Sequence, residues 1–168
     1  VIIRDLTDEE AVITMVDSNL QREHILPSEK AFAYKMKMEA LSHQGKTSRQ
    51  VGERWSVSQI SEAGTDSERQ IHRYIRLTHL IPDILKLVDE GKIALTPAVE
   101  LSYLQPSEQE MLFSVMDSDE VTPSLSQARR LRRMSEEQTF TDDAVLQLLS
   151  EVKGNQVEYV KVPVDKLR

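Results

Sequence analysis

Arg69, His72, Arg73 and Arg76 recur at i, i+3, i+4 and i+7, so one face of a helix would carry all four. Guanidinium forks suit guanine edges and phosphate oxygens, and a B-DNA major groove about 12 Å wide admits one α-helix. No acidic residue falls from Arg69 through Pro82, in a chain with 28 Asp and Glu, so the positive stripe is undiluted. Ser67, Glu68 and Gln70 in the first turn are candidates to meet bases. Lys35, Lys37, Lys46, Arg49 and Arg54 lie upstream and could extend the path along a phosphate backbone. The competing reading is a solvated cationic face with no ligand, or one that docks an acidic protein.

A second run, Arg129, Arg130, Arg132 and Arg133, has two readings that the residues leave open: nucleic-acid contact, or stabilisation of a helix C-terminus through its dipole. Asn19, Gln21 and Arg22 form a polar cluster after a helix end, where local hydrogen bonds account for such residues. His24, His43, His72 and His79 lack metal-ligand spacing, and the chain has no cysteine. There is no glycine-rich phosphate loop, nucleophile elbow or carboxylate pair, so no catalytic residue is expected.

The stripe needs a second helix behind it. Val57–Ala63, a turn at Gly64-Thr65-Asp66, and Ser67–Leu80 read as two helices around a tight turn, with Ile60, Ile71, Tyr74, Ile75 and Thr78 as their apolar seam. Thr7 caps an earlier helix that turns Ala11, Val12, Met15 and Val16 inward, and Pro27 opens one of about four turns that buries Ala31, Tyr34, Met38 and Leu41. Lys46–Trp55 holds another short helical pattern. Pro82 starts a helix closed by Gly91, and Thr96-Pro97, Pro106-Ser107 and Thr122-Pro123 each announce another as a cap followed by proline. Thr141 caps a last helix carrying Val145, Leu146, Leu148 and Leu149. Val1–Arg4 and Gln156–Val162 are candidate short strands.

With 168 residues, 39% hydrophobic, 29% charged and 5% aromatic, the chain is a helix-rich protein with a core of its own. Its net charge of −7 argues against indiscriminate coating of polyanions. No stretch reaches the ~18 apolar residues of a membrane span and no signal peptide opens the chain, so a cytoplasmic protein is expected. The start at Val1 and the finish at Arg168 suggest a piece of a longer protein.

These residues resemble the ParB family of partition proteins, particularly relatives on plasmids and mobile elements. Val16 to Glu23 (VDSNLQRE), then Leu26 to Ala31 (LPSEKA) and Tyr34, are similar to the family's "ENLQRE…NP.EEA.AY" box. Gln70 to Leu77, Leu87 to Ile93 (LVDEGKI), Thr96 to Leu101 and Ser124 to Ala128 follow the order of its recognition helix, "L.E.GKI" helix, "GHA" helix and "LS..Q" stretch.

The resemblance implies a mainly α protein: residues 1–43 the tail of an α/β nucleotide-binding domain, 44–138 a helix-turn-helix DNA-binding bundle, and 139–168 a closing helix and strand. It implies sequence-specific binding of a palindromic parS-like DNA site in chromosome segregation or plasmid partition. A homodimer on the nucleoid and a ParA-like ATPase partner go with it. It also implies CTP and magnesium in the full-length protein, with Asn19 toward the metal and Gln21 and Arg22 in the nucleotide pocket. Ser18 replaces the family's Glu and the upstream "GERR" box is absent, so neither cofactor is expected here. A CTP-hydrolysing clamp and a helical adaptor are the alternative functions.

Overall fold

The computed structural model describes residues 7–44, 57, 58, 60–62, 64 and 66–151. Those residues form a helical bundle, and no strand occurs among them. The candidate strands at Val1–Arg4 and Gln156–Val162, the helical pattern over Lys46–Trp55, and Arg49 lie outside them.

Helix α1 (Asp8–Leu20) starts where expected. The Thr7 hydroxyl accepts from the Glu10 amide at 3.3 Å and the Glu10 carboxylate accepts from the Thr7 amide at 2.9 Å, a reciprocal capping box. Its inward face is narrower than the spacing predicts: Val16 is buried and Val12 half-buried, but Ala11 and Met15 face outward. A single partner helix covers only a narrow stripe. Helix α2 (Pro27–Gln44) is that partner, and at 18 residues it runs for about five turns rather than four. It buries Ala31 and Tyr34, with Met38 and Leu41 packed beside them, as the periodicity predicts. Lys37, expected on a phosphate path, is instead buried and ion-paired with Asp17 of α1.

Residues 57, 58 and 60–62 form a short helix, α3, and Glu68–Leu77 form α4. Val57, Ile60, Ile71 and Tyr34 build one small core, with Tyr74 and Ile75 packed against it. The expected seam between the two helices is therefore present except for Thr78, which caps α4 and donates to the Ile75 carbonyl at 2.8 Å, and α2 forms its third wall.

The larger core joins α4 to α5 (Pro82–Asp89), α6 (Leu95–Leu101), α7 (Pro106–Asp119), α8 (Leu125–Glu136) and α9 (Asp142–Ser150). Gly91 closes α5 at φ +72°, where the Lys92 amide reaches the Leu87 carbonyl at 2.9 Å and the Gly91 amide reaches Val88 at 3.0 Å. That pair of bonds is the Schellman arrangement, and its left-handed residue favours glycine.

Two caps fall elsewhere than expected. Ala94, not Thr96, precedes α6, which places Pro97 in the first turn where no amide partner is lost. Ser124, not Thr122, caps α8, because Gln127 three residues on completes a capping box that Thr122 lacks. Thr141 caps α9 as expected, although Leu146 points to solvent.

Buried amides tie the bundle together. Gln109 of α7 accepts from the Ile81 amide at 2.8 Å and donates to the carbonyls of His79 and Leu104 at 3.1 and 3.0 Å. Gln127 of α8 donates to the Leu148 carbonyl of α9 at 2.8 Å. Each amide satisfies backbone groups that the helix ends leave over.

Candidate nucleic-acid interface

Ser67 sits in extended backbone and its hydroxyl accepts from the Gln70 amide at 3.3 Å, which starts α4 one residue later. Ile71 and Leu77 are fully buried, and this anchoring turns Ser67, Glu68, Arg69 and His72 to solvent, with Gln70 half-exposed. One end of the predicted stripe is thus presented outward.

The other end is engaged within the fold. Arg73 donates to Gln70 at 3.3 Å and to the Thr96 hydroxyl of α6. Arg76 donates to the Ser102 hydroxyl at 3.1 Å and to its carbonyl at 2.8 Å, and its guanidinium lies 4.0 Å from the centre of the Tyr103 ring. The cations at i+4 and i+7 therefore hold α4 against α6 and its C-terminal turn. Spacing along one helix carries no information about hydroxyls 23 and 26 residues downstream.

The turn before α4 is fastened to α2. Asp66 Oδ2 accepts from the Tyr34 hydroxyl at 2.5 Å and lies 2.6 Å from Lys30 Nζ, while the Asp66 carbonyl accepts from Ser61 of α3 at 3.1 Å. Lys30 also stands 4.8 Å from the centre of the Tyr74 ring. Burial acts to raise the Asp66 pKa, but the hydrogen bonds from Lys30 and Tyr34 outweigh it and hold the carboxyl below its ordinary value. Burial, reinforced by the Asp66 carboxylate, pushes the Tyr34 phenol well up. Sequence reading missed this junction. Tyr34 registers there as an apolar face position and a residue of the family box, and Asp66 only as a turn residue.

His79 follows α4, and burial together with the Arg76 and Lys35 charges lowers its pKa. On α8, Arg132 pairs with Glu100 at 3.2 Å and Glu136 at 2.9 Å and stacks 3.9 Å from the centre of the Tyr103 ring. Arg129 faces Glu100 at 3.6 Å, and Arg130 binds Glu151 at 2.5 and 3.0 Å. Neither reading left open for this run includes these carboxylates, from α6, from α8 itself and from the residue after α9, which pair with three of the four arginines.

Asn19 and Arg22 line a cleft of about 230 Å³ between α1 and α2, whereas Gln21 is not among its lining residues. The remaining walls are Met15, Val16, Ile25, Phe32, Ala33 and Met36, with Glu29. Glu29 accepts from the Leu26 amide at 3.0 Å, and the Asn19 carbonyl accepts from the Arg22 amide at 3.2 Å. The lining is mainly apolar, with Asn19, Arg22 and Glu29 as its polar members. Among the described residues, no group of three or more His, Asp or Glu is placed to hold a metal ion, and no helix is long and apolar enough to cross a membrane.

The chain matches no family model. Over 131 residues, 78% of its length, it is 30% identical to the chromosome-partitioning protein Spo0J of Thermus thermophilus. The match spans 43% of that protein. Along most of its own length, then, the chain is similar to a ParB-family chromosome-partitioning protein, of which it covers less than half.

Proposed function

We propose that this chain binds double-stranded DNA, with α3 and α4 acting as a helix-turn-helix and the N-terminal half of α4 entering the major groove. The observation that carries the reading is the outward presentation of Ser67, Glu68, Arg69 and His72 on a helix with no carboxylate from Arg69 through Pro82. Similarity to a chromosome-partitioning protein supports the same reading.

Arg69 and His72 approach phosphates or guanine edges, Ser67 and Gln70 meet base edges, and Glu68 accepts from a cytosine amino group. Arg73 and Arg76 position α4, and Arg73 alone of the two stands near enough to the exposed end to share a contact. Arg49 is proposed for the upstream backbone.

The finer reading is recognition of a palindromic parS-like site by a homodimer, in chromosome segregation or the partition of a plasmid or mobile element. It takes place in the cytoplasm, with a ParA-like ATPase as partner of the full-length protein. The activity proposed is binding without catalysis. CTP and magnesium are assigned only to the full-length protein, and CTP hydrolysis by a clamp is the alternative activity.

Selection of bound duplexes from a random DNA pool, followed by affinity measurements between about 50 and 200 mM salt, tests the proposal. Steeply falling affinity supports it, because phosphate contacts release counterions. Absence of binding at about 50 mM salt overturns it in favour of a protein adaptor.

A further inference from the structure

A carboxylate beside a groove-reading helix is a liability, since an unpaired Asp66 would repel the phosphates that Arg69 and His72 approach. The fold places Asp66 at a junction of three helices. Its Oδ2 receives Tyr34 at 2.5 Å and Lys30 at 2.6 Å from α2, its carbonyl receives Ser61 of α3 at 3.1 Å, and the next residue caps α4. The side chains of Lys30 and Asp66 are only 19% and 18% exposed, so water competes weakly for either. The same lysine lies 4.8 Å from the Tyr74 ring centre on α4, and the Tyr34 and Tyr74 rings are 6.0 Å apart. In the first turn of α2, Ser28 is fixed to Asp89 of α5 by two hydrogen bonds, so the platform carrying Lys30 and Tyr34 is itself anchored.

We propose that Asp66 is a positioning residue for DNA discrimination: clamped by Lys30 and Tyr34 of α2, it sets the angle at which the first turn of α4 is offered to a duplex and withholds its own charge from the phosphates. This inference rests on the DNA-binding reading. Base contacts demand a fixed angle, whereas phosphate contacts tolerate a looser one, so loss of the clamp lowers discrimination more than general affinity. The clamp is a specificity device contributed by a helix outside the reading pair.

The test compares the parent chain with Tyr34→Phe, Lys30→Arg, Lys30→Met and the Lys30→Met/Asp66→Asn double variant. The probes are a duplex selected by the parent from a random pool and a shuffled duplex of equal composition; thermal melts confirm that each variant folds. Tyr34→Phe changes no charge. It is expected to lower preference for the selected duplex about fivefold, with shuffled-duplex affinity within about twofold and the salt slope unchanged. Lys30→Met frees the carboxylate and weakens binding to both duplexes. The double variant regains the shuffled-duplex affinity without the preference, and Lys30→Arg keeps both. Parental preference in both Tyr34→Phe and the double variant overturns the proposal, as does a parent that binds duplexes without preference. A parent that binds no duplex overturns the DNA-binding reading itself.

Discussion

Asp89, the last residue of α5, accepts both hydrogen bonds that Ser28 offers in the first turn of α2: the amide at 2.9 Å and the hydroxyl at 2.6 Å. A cap normally comes from the chain just before its helix, but here it comes from 61 residues away. Capping and tertiary docking are therefore one interaction.

Removing that acceptor leaves an amide and a hydroxyl without their partner in a half-buried place. Asp89→Ala is expected to cost about 2 kcal/mol and Ser28→Ala about 1 kcal/mol, read as shifts in the urea midpoint. A double variant should lose less than the sum, since both changes break the same contact.

Gln109 uses its one amide to satisfy three backbone groups at the α4–α5 and α6–α7 connections. Leucine fills a similar volume but leaves those groups unpaired beside a buried side chain. Gln109→Leu should therefore destabilise by about 2 to 3 kcal/mol in chemical denaturation, despite its greater hydrophobicity.

Because burial and the nearby Arg76 and Lys35 charges lower the His79 pKa, the fold favours the neutral imidazole. Its contribution to stability is present above the ordinary value of 6.5 and is lost as the pH falls through the lowered folded value. Denaturation midpoints should drop between pH 7.5 and 5.5, and His79→Gln should flatten part of that slope.

Arg69 and Arg76 separate binding from folding. Arg69→Ala should leave stability within about 0.5 kcal/mol while weakening DNA of every sequence and reducing the salt slope by about one. Arg76→Ala should instead cost about 1.5 to 3 kcal/mol of stability through the lost Ser102 hydrogen bonds, visible in a melt without DNA.

What the sequence disclosed was local. Thr7, Thr141 and Gly91 were legible because a cap and its partner lie within a few residues, and Ile60 and Ile71 because helical periodicity marks a seam, whereas the capping role of Ser67 was not read. Ala11, Met15 and Leu146 misled for the complementary reason: periodicity identifies an apolar stripe but not how wide a face the neighbouring helix covers. Thr96 and Thr122 were plausible caps until Ala94 and Ser124 set the true starts. Within the candidate site, exposure of Arg69 and His72 follows from burial of Ile71. The engagement of Arg76 with Ser102 and of Lys37 with Asp17 depends on elements that meet only after the chain has folded, and nothing in residue spacing encodes it.

One tyrosine ring lies 4.0 Å from a guanidinium of α4 and 3.9 Å from a guanidinium of α8. Tyr103 is therefore a natural gauge of α4 movement: sliding that helix would withdraw one cation from the ring while leaving the other in place. The ring-proton resonances of this single side chain would register the displacement without any added label.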